Sequence, residues 1–574
     1  MNIYNQYSTK IKILVDEKKE ILKLKNLNEF KGITVENPPP DFNFELSCNI
    51  ALILGKLNKI NPKDLAFQIK KLILEKFDDI ESVELAGPGF LNIKLKNRTL
   101  KKITTEIIIE KNFYGSSKNN KSYNIEFVSA NPTGPLHVGH CRGAIYGDVL
   151  SNLLIFNGNN VIKEYYVNDY GNQIINFTKS VYLRIREILN NENFVNEPDL
   201  YPGEYIIDIA KNIIKDNPDN RFENFDKSYE LLKKQALSYS MSLITSDLKQ
   251  LGIKHDIFFS ETEIVNKKLV EKAISLLKKN NLVVEGYLQP PKGEETKNWK
   301  NTKKLIFKST LFGDDADRAL KKNDNSWTYF ANDLAYHLDK VSRKYDYLIN
   351  VLGADHTGYI KRITAAVKAL SNDKVKLNCK VCQLVKLYKD GKPFKMSKRA
   401  GDFISAQDLL NEVSRDSIRF MMLSRSNDVE LEFDFDKVLE KSKDNPVFYV
   451  QYCYARICSL FRSLNLSIDG EDNIQDVNYD LDIYQTKILR KIFEWPKIIE
   501  TASKKHEPHR IPFYLYDLST LFHSYWSKGN ENPKYKFIKD GKINNENTLI
   551  ILKLLSLVLK NGMRILDVSL PSKM

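Results

Sequence analysis

Residues 125–148, IEFVSANPTGPLHVGHCRGAIYGD, constrain this chain more than any other stretch. Ile125-Glu126-Phe127-Val128-Ser129 has strand composition and partial alternation, and breakers follow at once at Asn131, Pro132, Gly134 and Pro135. Beyond His137-Val138-Gly139-His140 the pattern turns helical over 142–156 and stops at Asn157-Gly158, after which 161–167 reads as a second strand. Strand, tight turn, helix and strand make a βαβ unit, whose crossover is almost always right-handed. Ligands in such sheets sit at the carboxyl ends of the strands, where this turn falls.

The chemistry of the turn suits a nucleotide. A helix amino terminus offers unpaired N–H groups and a positive dipole end to a phosphate. Gly139 has no side chain, so a flat ring can lie against its backbone. His137 and His140 are three apart at a helix start and can face one side, where both imidazoles can donate to phosphate oxygens. An H-x-G-H run also occurs as an ordinary capped turn, so the rest of the chain must decide.

At 574 residues the chain is long enough for several domains with sizeable cores. Its formal net charge of +14 points to a polyanionic partner, nucleic acid first, although a composition rich in Lys, Asn and Ile accounts for part of that charge without any function. Six cysteines are too sparse for a disulfide framework and fit a reducing cytoplasm. Cys379 and Cys382 form the one CxxC pair, with no second pair nearby, so no metal site is expected. The amino terminus mixes Lys10, Lys12, Asp16, Glu17 and Lys18 with apolar residues, unlike a signal-peptide core. The apolar tract 549–559 is broken by Lys553 and is too short to span a bilayer. A cytoplasmic protein with no membrane partner is expected.

Residues 1–105 read as a small α+β domain, with helices over 4–24 and 49–57 and strands over 83–85 and 90–95 around Gly87-Pro88-Gly89. A third glycine and a following helix are missing there, so the stretch is a hairpin and not a dinucleotide loop. Residues 106–400 form an α/β domain interrupted by an insertion at about 180–305, with helices over 229–251 and 267–279 and a polar loop over 290–303. The sheet resumes with Leu305-Ile306-Phe307-Lys308. A buried strand over 347–352 ends in Gly353-Ala354-Asp355-His356, ahead of a helix over 363–370; a further strand over 383–388 turns at Asp390-Gly391 and delivers Lys395-Met396-Ser397-Lys398. No Walker loop competes for a nucleotide. Residues 401–435 read as a connecting stem and 436–574 as an all-helical domain, with helices over 447–464, 483–497, 512–525 and 548–560. Its mixed basic and aromatic residues can stack on and neutralise unpaired nucleotides, although most of the aromatics are needed for helix cores.

HVGH resembles the HIGH signature of class I aminoacyl-tRNA synthetases, and Lys395-Met396-Ser397-Lys398 resembles their KMSK signature. The run SANPTGPLHVGHCRGAIYGD looks like the arginyl-tRNA synthetases in particular. So do the stretches 164–173, 327–337 and 353–356 and the segment 561–568, all in the family's order along nearly the whole chain. The resemblance implies a Rossmann-like class I catalytic domain, an additional amino-terminal domain that touches the tRNA elbow, and a carboxyl-terminal anticodon-binding domain. It implies ATP, Mg²⁺ with the ATP, L-arginine and tRNA(Arg) as partners of a monomer. The reaction would activate arginine as arginyl-adenylate and transfer it to the 3′ end of the tRNA, with the tRNA needed even for the first step.

Residue roles follow from the same resemblance. His137, His140, Lys395 and Lys398 would stabilise phosphate charge, and Gly139, Asp355, Met396 and Ser397 would complete the ATP site. Glu126, Ser129 and Asn131 would meet the α-amino end of arginine. Tyr329 and Asp333, matching the family's Tyr-x-x-x-Asp, would meet the guanidinium, with His356 beside them. Tyr449, Tyr452, Arg456 and Met574 would touch tRNA. Three alternatives stay open: a class I synthetase for another amino acid, a catalytically silent tRNA-binding relative, and a small-molecule nucleotidyltransferase. The two signatures and the carboxyl-terminal domain argue against the last two; Asp333 and the amino-terminal domain speak for arginine.

Overall fold

The computed structural model describes residues 2–39, 42–288, 302–394, 404–470 and 477–574. Its contacts divide the chain into one unit of residues 118–439 and another that joins 1–117 to 440–574. In chain order the second unit begins with α1 Ile3–Glu17, β1 Val35–Glu36, β2 Leu46–Cys48, α2 Ile50–Asn58, α3 Pro62–Lys76, β3 Ile80–Ala86, β4 Phe90–Leu95 and α4 Asn97–Glu110. The strands form an antiparallel sheet in the order β1-β2-β4-β3, and β3–β4 is a hairpin around Gly87-Pro88-Gly89. Helix α1 ends at Glu17, short of residue 24: the Lys18 N–H closes the last turn on Leu14 and Asp16 carbonyls, and Leu22 and Leu24 bury outside the helix. Helix α4 runs through residue 105.

The unit of residues 118–439 contains β5 Ser122–Glu126, α5 Val138–Phe156, β6 Asn160–Val167, α6 Asn172–Asn190, α7 Glu204–Asp216, α8 Phe225–Gln250, β7 Ile257–Ser260, α9 Glu261–Asn266 and α10 Leu269–Lys279. It continues with β8 Val283–Gly286, β9 Lys304–Phe307, β10 Arg318–Ala319, α11 Tyr329–Ser342, β11 Tyr347–Gly353, α12 Ile360–Ser371 and β12 Lys376–Cys382. Last come β13 Val385–Lys389, β14 Lys392–Pro393, α13 Ala406–Glu412, α14 Arg415–Met421, β15 Leu431–Asp434 and α15 Phe435–Leu439. Five strands pair in parallel in the order β12-β11-β5-β6-β7, so β5–α5–β6 is the βαβ unit that the sequence pattern predicts.

Two expectations are corrected here. Residues 305–308 do not resume the parallel sheet: β9 pairs antiparallel with β8 and β10 in a separate three-stranded sheet. Phe307 and Val283 there bury against α10 and α11 instead. Within the stretch read as an insertion, β7 is the edge strand of the parallel sheet. Helices α6, α7 and α8 of that stretch do build a core of their own from Phe177, Val181, Ile185, Ile206, Ile213 and Leu232.

The chain closes with α16 Pro446–Ser463, α17 Ile483–Lys505, α18 Arg510–Glu531, a short hairpin β16 Ile538–Lys539 and β17 Lys542–Ile543, and α19 Glu546–Leu566. Asn445 caps α16 ahead of Pro446, and Asp482 caps α17, satisfying N–H groups that a helix start leaves unpaired. These helices share an interior with the amino-terminal segment. Trp495 is fully buried and donates to the Tyr114 carbonyl at 2.9 Å, while the Tyr114 hydroxyl donates to the Ile492 carbonyl at 3.0 Å. Arg490, also buried, donates to the carbonyls of Pro38, Pro39 and Phe42 and to Asn37 Oδ1. Among the described residues no helix is long and apolar enough to cross a membrane.

Candidate active site

Helix α5 begins at Val138, earlier than the expected residue 142, because His137 takes the cap position. The His137 backbone N–H donates to His140 Nδ1 at 3.3 Å, which leaves the His140 ring proton on Nε2. The two rings stack with centroids 3.7 Å apart. Burial lowers both pKa values; that of His140 reaches about 3, with His137 adding to the shift and Asp355 opposing it. At neutral pH the pair therefore offers N–H donors and not cations. A Cβ at Gly139 would lie 2.8 Å from His137 Cε1, so no side chain fits beside the stacked ring.

The residues just before the helix are pinned from two sides. The Leu136 N–H donates to Asp247 Oδ2 of α8 at 3.0 Å, and its carbonyl accepts the Ala406 N–H at 2.8 Å. The Val138 N–H donates to the Ile404 carbonyl at 2.9 Å, and His137 bridges Ser405 in antiparallel fashion. Burial pushes the Asp247 carboxyl up to about 6 against the pull of its one hydrogen bond.

Strand β5 stops at Glu126, and the expected continuation through Ser129 is overturned by the backbone. Val128 and Ser129 take φ +70° and +43°, a left-handed turn that costs a β-branched residue energy. The turn lets Ser129 Oγ donate to Glu126 Oε1 at 3.2 Å while accepting the Tyr166 N–H at 3.1 Å. The other Glu126 oxygen pairs with Lys340 of α11, which is fully buried and also donates to Asn350 Oδ1 at 3.1 Å. Asn131 is exposed and accepts a hydrogen bond from Asn168 Nδ2 at 3.2 Å.

Helix α11 turns a stripe of polar side chains inward at Asp333, Tyr336, His337, Lys340 and Arg343, the spacing of one helical face. Arg343 forks onto both oxygens of buried Glu164 on β6, at 2.6 and 2.9 Å, and the Tyr336 hydroxyl donates to the same carboxylate at 2.9 Å. His337 Nδ1 bonds the Asp333 carbonyl at 2.8 Å and its Nε2 accepts from Asn350 Nδ2 at 3.1 Å. So anchored, the helix presents the Asp333 carboxyl, half-buried, to the Tyr359 hydroxyl, which donates to it at 2.7 Å. Burial pushes Asp333 up to about 7; Glu126 and Glu261 add to the shift, and Tyr359 and His356 oppose it. Glu261 of α9 is buried too, accepts from Asn332 Nδ2 at 3.0 Å, and is raised chiefly by burial. Three carboxyls thus face a common region, a setting that favours a ligand with two positive groups.

Other expected residues stand apart from this group. Tyr329 opens α11 but is 79% exposed, with the Lys322 ammonium 5.4 Å from its ring; Tyr359 is the tyrosine that reaches Asp333. Asp355 and His356 are exposed and face each other at 3.3 Å. Lys395, Met396, Ser397 and Lys398 lie outside the described residues. In the helical segment, Tyr449 packs on His523, and the Arg456 guanidinium lies 4.2 Å from the Tyr452 ring and 4.7 Å from that of Trp526. Met574 is exposed, away from this stack in sequence.

Four residues escape the sequence reading: Lys340, Tyr359, Glu261 and Asp247. Lys340 was legible, since it stands seven positions beyond Asp333 on the same helical stripe. The other three arrive from separate elements, and no local pattern marks them.

Known proteins resemble the chain along its length. A model of the tRNA synthetases class I (R) catalytic domain matches residues 103–442, one of the arginyl tRNA synthetase N terminal domain matches 11–95, and one of the DALR anticodon binding domain matches 450–574. An arginine–tRNA ligase of Pelagibacter ubique is 54% identical over 577 residues, covering 100% of both chains. A solved chain from Campylobacter jejuni superimposes with a TM-score of 0.73 at 32% identity, over 84% of this chain and 100% of that one. The arginyl-tRNA synthetase of Thermus thermophilus shares the fold, with a TM-score of 0.69 at 18% identity over 97% of this chain and 100% of that one. With its catalytic, amino-terminal and anticodon-binding segments all matched and its full length covered, the chain belongs to the arginyl-tRNA synthetase family of class I.

Proposed function

We propose that this chain joins L-arginine to tRNA(Arg) in two ATP-dependent steps, and that the site built from β5, α5, α11 and β11 performs both. In the first, an arginine carboxylate oxygen attacks the ATP α-phosphorus and pyrophosphate leaves. In the second, a hydroxyl of the terminal tRNA ribose attacks the arginyl carbonyl and AMP leaves. The observation that carries the reading is the carboxyl group of Asp333, half-buried, bonded by Tyr359 and accompanied by Glu126 and Glu261. Such an environment gains more from a guanidinium and an ammonium on one small molecule, which draw the raised Asp333 carboxyl into its charged form, than from a neutral substrate.

In this reading Asp333 holds the guanidinium, with Tyr359, Tyr329 and His356 around it. Glu126, held by Lys340 and Ser129, receives the α-ammonium beside Asn131. His137 and His140 donate neutral N–H groups to the phosphates, Gly139 leaves room for the adenine, and Asp355 meets the ribose. Lys395, Met396, Ser397 and Lys398 complete the ATP site, and Mg²⁺ arrives with the ATP as part of the substrate. Residues 1–105 touch the tRNA elbow and 436–574 the anticodon, with Tyr449, Tyr452, Arg456 and Met574 in contact. A cytoplasmic monomer that activates arginine only with tRNA present belongs to the same reading.

The test is charging of bulk tRNA with each amino acid in turn; arginine alone should be attached. In the same assay His140→Ala should lower kcat by about 10²–10³, as for one lost oxyanion donor, with arginine binding little changed. Normal adenylate formation by that variant removes the assignment of HVGH.

A further inference from the structure

Arg142 is the second residue after His140 on α5 and is 1% exposed. Among the described residues its guanidinium meets no carboxylate at hydrogen-bond distance, and the carboxylate that acts on its charge from further off is Asp428. The guanidinium donates instead to three backbone carbonyls: Nη1 to Gln383 at 2.9 Å and Val429 at 2.7 Å, and Nη2 to Ser426 at 2.8 Å. Those carbonyls come from two segments that are zipped together, since the Gln383 N–H donates to the Asn427 carbonyl at 2.8 Å and Asn427 Nδ2 to the Val381 carbonyl at 2.7 Å. The junction is where the chain leaves the parallel sheet at β12 and enters the small sheet β14-β13-β15.

A buried cation whose hydrogen bonds, among the described residues, go to neutral carbonyls, with Asp428 acting on it only from further off, is a costly way to glue a fold, because an apolar side chain of similar volume avoids the desolvation. It gains in geometry what it loses in energy, since the planar fork fixes three carbonyls at once. Its place matters as well. On one side Arg142 ties α5 to the segment that leads into β13; on the other, Leu136 and Val138 are laddered to Ala406 and Ile404. The stretch 136–142, which includes both histidines, is therefore registered against the small sheet at one end and the start of α13 at the other.

We infer that Arg142 is a positioning residue for nucleotide chemistry, setting where His140 stands by locking α5 to the β12–β13 junction. This rests on the reading of His140 as a phosphate donor. The experiment measures arginine-dependent ATP–pyrophosphate exchange by the full chain with tRNA present, for Arg142→Met, Arg142→Lys, His140→Ala and the Met/Ala double variant, with Tm for each.

A misplacement near 1 Å costs about 10²-fold, so Arg142→Met should lower kcat by about that factor. Its KM for ATP should rise, while KM for arginine stays within about twofold, the scatter expected of sites that do not couple. The double variant should be no slower than His140→Ala alone to within about twofold, since both changes remove one function. Arg142→Lys should regain most of the Tm but only part of kcat, and it decides the matter if Arg142→Met fails to fold.

Multiplicative slowing in the double variant overturns the proposal, as does a lysine variant whose kcat recovers in step with its Tm. A slow His140→Ala beside a normal Arg142→Met refutes Arg142 alone. A normal His140→Ala refutes the histidine assignment and the proposal together.

Discussion

Asp333 shows how far a single residue can be read. Its place on a helix, four positions after Tyr329, is plain in the sequence; its pKa is not, because burial and two distant glutamates set it. Raised to about 7, the carboxyl is partly protonated in the free protein at neutral pH, and arginine needs the anion. KM for arginine should therefore fall as pH rises through about 7, and Asp333→Asn should abolish that dependence while costing several kcal/mol in kcat/KM. The stability effect has the opposite sense. Protons bind the folded state more tightly, so the stabilisation is full below the ordinary value of 3.8 and lost as pH rises through about 7. The Asn variant should flatten the fall of Tm across that window, and a Tm profile parallel to that of the parent would refute the assignment. Citrulline, uncharged at the guanidinium position, should lose much less than arginine in the Asn variant.

Among elements, α16 carries the clearest prediction. Its basic and aromatic side chains were expected to divide between core and RNA: Tyr454 and Phe461 are buried in the core, while Arg456, half-buried, lies over the rings of Tyr452 and Trp526 and donates to the Tyr452 hydroxyl at 2.9 Å. A guanidinium held beside two aromatic rings can neutralise a phosphate at the edge of a base stack. Arg456→Ala should weaken tRNA binding and reduce the slope of log affinity against log salt by about 1, with arginine KM unchanged. An unaltered slope would make the stack part of the core. The Asn-Pro that opens α16 and the Asp that opens α17 are local cap signals ahead of apolar periodicity. The true end of α1 and the true start of α5 were less legible, since each depends on which backbone groups find partners at the helix ends.

For the molecule as a whole, the pairing of 1–117 with 440–574 changes how the segments proposed to face RNA can be tested. Removing the residues beyond 440 would strip Trp495 from Tyr114 and Arg490 from the carbonyls of Pro38, Pro39 and Phe42, so truncation confounds tRNA binding with unfolding. Trp495→Ala should cost about 3–5 kcal/mol, as for other buried aromatic truncations. Hydrogen-exchange protection should fall together in α1, α4 and α17 if the two segments form one cooperative unit. Retained protection in α1 beside a loosened α17 would mean that they fold separately.

What the amino-acid order determined was what repeats locally: the strand–turn–helix–strand order of β5, α5 and β6, the hairpin at Gly87-Pro88-Gly89, the buried strand β11, and the two histidines on one face of a turn. Each is set by neighbours a few residues away, through periodicity, glycine and proline geometry, and helix capping. Folding decided what depends on partners far along the chain. It sent β9 to an antiparallel sheet and β7 to the parallel one, because strand pairing is a choice among distant edges. It also brought Tyr359 and Glu261 to Asp333, Lys340 to Glu126, and Arg142 to the carbonyls of Gln383, Ser426 and Val429. A side chain's charge state and partner come from water excluded by the whole fold, which no local pattern encodes.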